Sequence, residues 1–181
     1  MVLVWKIITG VIVAAGGIGV VASYIIGAVK SPVGAAALWG GVPKNVIPLY
    51  TLGMVLSAIG FLATTYYIFF KVDAAQVSVW PGFDFRVFIA VYILILIPSA
   101  LWMTLTIKMV ENPGPGFGAG IRTVLILTAL GALLMLVSMA TINPRVVGWS
   151  YWLALIGSAF FFLHTAVLDA VIWTVLFFRK Y

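Results

Sequence analysis

The segment "FFFLHTAVLDAVIWTVLFF", residues 160–178, is apolar enough to lie inside a lipid bilayer, yet it carries two ionisable side chains. These are His164, the only histidine of the chain, and Asp169, one of four acidic residues. A helix needs about 20 apolar residues to cross a hydrocarbon core of about 30 Å. The apolar run that contains this segment extends over residues 150–178. This run therefore predicts a membrane-spanning helix that contains two ionisable side chains, whose burial in lipid is energetically unfavourable.

The composition of the whole chain agrees with this reading. The protein has 181 residues, of which 65% are hydrophobic and 8% charged, and its mean hydropathy is +1.25. A soluble domain is about half apolar and about a quarter charged. Because a water-soluble fold of this length could not bury so much apolar surface, the sequence predicts a multi-pass integral membrane protein.

Four further runs have the length and the apolar character of membrane spans. Since unpaired backbone groups are costly in lipid, each run predicts a continuous helix. The segments between them are short and rich in Pro, Gly and Asn, which marks them as turns. We therefore predict an all-α fold, a five-transmembrane-helix bundle with short loops that forms a single domain over residues 1–181. The predicted helices cover residues 3–29, 46–70, 87–109, 121–141 and 150–178.

The basic residues are distributed as membrane-flanking cations. The formal net charge is +6, but the ten Lys and Arg residues are scattered near the ends of the apolar runs. A nucleic-acid-binding protein would cluster them on one face, so no nucleic-acid partner is expected. Five spans place the termini on opposite sides, with six cations on the side of the C-terminus and four on the other. The positive-inside rule then predicts a cytoplasmic C-terminus.

The chain has no cysteine and one histidine, which excludes thiolate catalysis and a bis-histidine haem within one chain. We therefore expect no metal and no cofactor. Small residues recur in the first, second and fourth helices, among them Gly16, Gly53, Gly60 and Gly131. Small residues let helix backbones approach closely in lipid. The interpretation we favour is packing within the bundle, and the alternative is a homodimer interface.

Five residues separate His164 from Asp169, which corresponds to a rotation of about 140° in an α-helix. The two side chains are therefore predicted to point to different faces and not to pair. Asp169 would share its face with Thr165 and Trp173. Matching of depth places Ser99 and Trp102 of the third helix near the level of Asp169. Lys108 lies closer to the interface and could extend inward to Asp169, although lysine stems usually extend to the headgroups.

An ionisable residue well inside a membrane is a functional-site hypothesis by default. The structural alternative is that His164 or Asp169 forms a hydrogen-bonded lock between helices. Our leading hypothesis is a protein that binds an amphiphilic small molecule or membrane lipid in a pocket between helices two, three and five. Two alternatives stay open: an accessory subunit of a larger membrane complex, and a membrane enzyme that uses His164 as acid or base on a lipid-soluble substrate. The candidate ligand-binding residues are Asp169, His164, Thr165, Trp173, Ser99, Trp102 and Lys108.

Overall fold

The computed structural model describes residues 2–30 and 34–181 and contains five long helices, each long and apolar enough to cross a membrane. This confirms the predicted all-α five-helix bundle and a multi-pass membrane protein. Residues 31–33 of the first predicted loop lie outside the described residues, and a short 3-10 helix, Ala35–Trp39, follows them. The long helices are α1 (Val2–Lys30), α2 (Ile47–Phe70), α3 (Val87–Glu111), α4 (Pro115–Thr141) and α5 (Trp149–Phe177).

The predicted start of the fourth helix was wrong. The sequence predicted a turn up to residue 120, but α4 begins at Pro115. Proline suits the first turn of a helix because its missing N–H would have no partner there. The glycines of residues 116–120 are helical as well. Helical hydrogen bonds satisfy the backbone near the bilayer, and this requirement outweighs the weak helix propensity of glycine.

Glycines bring the helices of the bundle together. If Gly16 of α1 carried a Cβ atom, that atom would lie 2.8 Å from the side chain of Leu96 on α3, too close for a real side chain. A Cβ atom added at Gly131 of α4 would likewise lie 2.8 Å from the side chain of Ile95. The closest approach between the backbones of two long helices joins α2 to α5, where a Cβ at Gly60 would lie 2.5 Å from the carbonyl oxygen of Gly157. These contacts confirm packing within the bundle for Gly16, Gly60 and Gly131.

Two hydrophobic clusters fill the bundle, one toward each membrane surface. One cluster includes Tyr67, Tyr92 and Met135, and the other includes Ile121 and Trp173. Between them lies a set of polar side chains that we call the polar layer. Its members come from four segments of α2, α3, α4 and α5 and are Ser57, Ser99, Thr128, His164 and Thr165. The helices therefore carry a band of polar groups at the middle of the membrane.

Contacts between loops agree with alternating passage of the chain through the membrane. Ser78 in the second loop and Asn143 in the fourth exchange backbone hydrogen bonds of 2.7 and 2.8 Å. At the other end, the hydroxyl of Tyr181 donates to the carbonyl of Ala37 at 3.3 Å. The first loop and the C-terminus therefore share one side of the bundle, as five spans require.

Lys6 of α1 binds the C-terminal end of α2. Its ammonium group donates to the carbonyl oxygens of Phe69 at 3.2 Å and Val72 at 2.8 Å. We expect Lys6→Met to lower the free energy of unfolding by about 1–1.5 kcal/mol, because hydrogen bonds from a charged donor and its attraction to a helix C-terminus are both lost. Thermal denaturation in mild detergent would measure this. Lys44→Met, at an exposed lysine, is the control, and an equal effect of both variants would contradict the prediction.

Candidate functional site within the membrane

The second half of α5 is not an α-helix. The α-helical part ends at Leu163, a π-helical segment covers His164–Trp173, and one α-helical turn follows at Thr174–Phe177. In a π-helix the hydrogen bonds join residues five apart, whereas four separate them in an α-helix. Such segments are rare and occur frequently at functional sites. The two ionisable residues of this span therefore lie within an unusual backbone.

Two threonine hydroxyls bond to backbone carbonyls within and just before this segment. Thr165 donates to the carbonyl of Phe161 at 3.0 Å, and Thr174 donates to the carbonyl of Asp169 at 3.0 Å. Side-chain hydroxyls can satisfy backbone groups where the regular α-helical pattern is interrupted. Both residues are buried. The polar side chain of Thr165 is thus already bonded to its own helix.

The π-helical backbone places His164 and Asp169 on the same face. The Nε2 atom of His164 lies 3.7 Å from the Oδ1 atom of Asp169. The prediction that these side chains point to different faces was therefore wrong. It assumed the rotation of an α-helix, in which five residues do not complete a whole number of turns. In a π-helical segment, where each hydrogen bond joins residues five apart, two residues five apart lie on the same face.

The imidazole of His164 is packed against α2 at a glycine. A Cβ at Gly53 would lie 2.9 Å from the Nδ1 atom of His164, so the ring fits only because residue 53 has no side chain. His164 is 4% exposed, and its Nδ1 atom is buried without a hydrogen-bond partner among the described residues. On its outer side the ring lines a recess of about 200 Å³, whose other walls are Phe160, Leu163, Val167 and Leu168.

Asp169 is more accessible than His164. Of the four acidic residues it alone lies in the interior of a span, and its side chain is 31% exposed. Its carboxyl group accepts no hydrogen bond from the side chains or backbone that the structure describes, and the contact with His164 is longer than a hydrogen bond. The hydroxyl of Tyr50 donates to the adjacent carbonyl of Leu168 at 3.1 Å. The Asp169 carboxyl therefore has surface available to a further group.

Aromatic side chains from four helices extend from this region. The rings of Tyr24 on α1 and Trp102 on α3 have centroids 5.6 Å apart, and those of Trp102 and Trp173 on α5 are 5.3 Å apart at 70°. The Nε1 atom of Trp102 is buried without a hydrogen-bond partner in the described part of the chain. Tyr50 of α2 packs in the same hydrophobic cluster as Trp173. We call Tyr24, Tyr50, Trp102 and Trp173 the aromatic cluster.

The structure brings some of the predicted site residues together and places others elsewhere. The structure brings His164 to Asp169 and Trp102 to Trp173. It places Ser99 in the polar layer, where its hydroxyl donates to the carbonyl of Ile95 at 2.6 Å and lies 3.4 Å from the Thr128 hydroxyl. Lys108 is exposed, and no ion pair joins it to a carboxylate within the described ranges.

Sequence reasoning did not include Gly53 and Tyr50 in the site. The spacing of Gly53, Ser57 and Gly60 places them on one face of α2, and this pattern could have identified the face that meets α5. All three residues are buried. Tyr50 carried no comparable signal, because its role depends on the position of the Leu168 carbonyl in the π-helical segment.

The contact between His164 and Asp169 can be tested directly because the chain has a single histidine. We expect Asp169→Asn to shift the Nε2 resonance in a ¹⁵N spectrum of histidine-labelled protein, since the variant removes the charge 3.7 Å away. Asp84→Asn is the control and should leave the spectrum unchanged. Asp84 is an exposed loop residue, and the Arg86 guanidinium, which donates hydrogen bonds to it, holds its pKa below the ordinary value. Identical spectra for the wild type and Asp169→Asn would show that the two side chains do not meet.

Comparison with known proteins gives no match at a significant level with a family model, a curated protein or a solved structure. Any functional conclusion therefore depends on the residues of this site.

Proposed function

We propose that the protein binds an amphiphilic small molecule or a lipid inside the membrane, with Asp169 as the polar anchor. The observation that carries this proposal is the Asp169 carboxyl itself, which is 31% exposed in the interior of a span and accepts no hydrogen bond from the described residues. A carboxyl group in this position is expensive. A ligand that contacts it would offset part of that cost.

The surroundings of Asp169 are those of a binding site for an amphiphile. Such sites are mostly apolar and aromatic, with a few polar groups that fix the orientation of the ligand. Here the aromatic cluster supplies the apolar surface, and the polar groups are Asp169, His164 and the indole N–H of Trp102. Trp102 Nε1 is a donor without a protein acceptor, so it can donate to an oxygen of a ligand.

Native mass spectrometry of the protein extracted with its lipids in mild detergent tests this proposal. We expect the wild type to retain a small-molecule or lipid adduct at defined stoichiometry. Asp169→Asn should lose the adduct, because the variant keeps the size of the side chain and removes its charge. Asp84→Asn, at an exposed acid outside the spans, should retain it.

Two results would contradict the proposal. Equal retention of the adduct by the wild type and Asp169→Asn would show that the carboxyl is not the anchor. A stable assembly with other protein chains, and no small adduct, would instead favour an accessory subunit of a larger membrane complex.

One observation favours a second candidate, a membrane enzyme that acts on a lipid-soluble substrate. His164 lines the 200 Å³ recess together with Leu163 and Val167, whose exposed side chains face outward, and its Nε2 atom lies beside Asp169. A histidine beside a carboxylate can act as a general base. The purified protein would then convert a component of a total lipid extract, and His164→Gln would not. Unchanged lipid profiles with the wild type would remove this candidate.

We further propose that the C-terminus is cytoplasmic. The support is the excess of cations in the first loop, the third loop and the C-terminal segment. Because the chain contains no cysteine, single cysteines introduced at Asp73 and Lys180 can be labelled from one side of intact cells with an impermeant reagent. Labelling at position 73 alone is expected, and labelling at position 180 alone would reverse the orientation.

A further inference from the structure

We propose that the group bound at Asp169 is a lipophilic ammonium cation. This inference rests on the proposed function and specifies the chemical class of the ligand. The site consists of an accessible carboxyl on α5, at 31% exposure, and of the aromatic cluster, in which Tyr50 donates to the neighbouring carbonyl of Leu168 and Trp102 contacts Trp173. Three features support the assignment: the carboxyl of Asp169, the lack of an ion pair with a described lysine or arginine side chain, and the aromatic cluster.

A carboxylate inside a membrane favours a cation over a neutral partner. An ionised group in a low-dielectric medium is costly unless it is paired and hydrogen-bonded. A neutral hydroxyl supplies one hydrogen bond, whereas an ammonium group supplies opposite charge together with charge-assisted hydrogen bonds, which are about twice as strong. A ligand with an ammonium head therefore gains more from Asp169 than an alcohol with the same tail.

No lysine or arginine side chain that the structure describes forms an ion pair with Asp169. On the same side of the bundle, Lys108 is exposed and the Arg122 guanidinium lies 4.1 Å from the ring of Phe178. Arg179 and Lys180 are exposed at the C-terminal end. The one ion-pair contact of the Asp169 carboxyl among the described side chains is with His164, whose Nε2 atom is 3.7 Å away, beyond hydrogen-bonding distance. The accessible part of the carboxyl thus remains open to an external cation.

The aromatic cluster provides the surface that an ammonium group prefers. Tryptophan and tyrosine rings attract cations through their negative faces, and aromatic cages are a general solution for binding ammonium ligands. Trp102 lies between Tyr24 and Trp173, with ring centroids 5.6 and 5.3 Å away. The hydroxyl of Tyr50 donates to the carbonyl of Leu168, the residue before Asp169, at 3.1 Å. The anionic group and the aromatic rings therefore belong to one region of the bundle.

Three amphiphiles with the same tail test the inference: dodecylammonium, dodecanol and dodecyl sulfate, each added at the same low mole fraction of the lipid to the full chain in lipid nanodiscs. Intrinsic tryptophan fluorescence reports binding. We expect the wild type to bind dodecylammonium at least about tenfold more tightly than dodecanol, which corresponds to about 1.4 kcal/mol. Asp169→Asn should abolish this preference, and Asp84→Asn should keep it.

A second pair of variants tests the aromatic rings. Trp102→Leu should lower the preference for dodecylammonium over dodecanol by about three- to tenfold, in the range of cation–π interactions. Trp152→Leu, at a tryptophan that is 53% exposed on the outside of α5, should leave it unchanged. Trp102→Phe keeps an aromatic face and should retain most of the preference, which separates the loss of the ring from damage to the fold.

The outcomes distinguish this inference from the proposed function. Binding of dodecanol that depends on Asp169 and equals that of dodecylammonium would overturn the ammonium assignment and leave the amphiphile site standing. The strongest binding by dodecyl sulfate would also overturn it. No Asp169-dependent binding of any of the three probes would count against both.

Discussion

Gly60→Val is expected to destabilise the bundle by at least about 2–3 kcal/mol, because no side chain can be accommodated where α2 crosses α5. A Cβ at residue 60 would lie 2.5 Å from the carbonyl oxygen of Gly157 and 2.9 Å from its Cα. These are backbone atoms, which cannot move aside as the end of a flexible side chain can. The two helices would have to separate, and contacts made further along α2 would be lost with them.

The contacts that follow the crossing of α2 and α5 make the effect of Gly60→Val large. The hydroxyl of Thr64, one turn beyond Gly60, donates to the carbonyl of Ala154 on α5 at 2.9 Å. In the other direction, Gly53 lies against His164. Separation of the helices at Gly60 therefore disturbs a buried hydrogen bond on one side and the polar layer on the other.

Gly17→Val is the matched control. It is the same substitution in the middle of a membrane helix, but a Cβ at Gly17 would meet nothing within 4 Å. Thermal unfolding in one detergent should show a large decrease of the midpoint for Gly60→Val and little change for Gly17→Val. If both variants unfolded alike, helix propensity would explain the result and the close crossing of α2 and α5 would not.

The sequence predicted the helices well because hydropathy over about 20 residues is a strong signal in a chain of this composition. It was less successful at the boundaries. Residues 115–120, with three glycines, resemble a turn, and only the need to satisfy the backbone near lipid makes them the first turns of α4. Gly53 and Gly60 of α2 and Gly16 of α1 were correctly assigned to packing within the bundle, whereas Gly17 of α1 makes no close contact.

The composition of the site was predictable and its geometry was not. An acid and a histidine in an apolar run are visible in any sequence. The ring of Trp102 lies 5.3 Å from that of Trp173, four residues beyond Asp169, whereas the depth matching had placed Trp102 at the level of Asp169 itself. The contact between His164 and Asp169 depends on the ten residues of the π-helical segment. A π-helix differs from an α-helix in which backbone carbonyl accepts the hydrogen bond from each N–H. The π-helical segment is accompanied by a tertiary contact, the fit of the imidazole at Gly53, and by a local one, the bond from Thr174 to the Asp169 carbonyl, and neither can be read from the hydropathy of the sequence.

Asp169→Leu is expected to raise the stability of the protein while it abolishes ligand binding. The carboxyl of Asp169 accepts no hydrogen bond from the described residues, and its one ionic contact is 3.7 Å long. A charged side chain at the centre of a membrane helix costs about 2.5–3.5 kcal/mol on insertion scales, and a leucine removes this cost. As the proposed anchor of a ligand, the carboxyl would be retained at a cost in stability, as is common for binding sites.

The opposite result is expected if the pair is a structural lock. Removal of one partner of a hydrogen-bonded buried pair destabilises by about 3–5 kcal/mol, because the other partner is left uncompensated. The unfolding midpoints of Asp169→Leu and of the double variant His164→Leu with Asp169→Leu, both without added ligand, separate the two cases. A lock predicts that the second substitution recovers stability lost in the first. A binding site predicts that Asp169→Leu alone is at least as stable as the wild type. The reason is that His164 is buried against Gly53 and forms no hydrogen bond with the Asp169 carboxyl, so loss of the carboxyl leaves no hydrogen bond of His164 unmade.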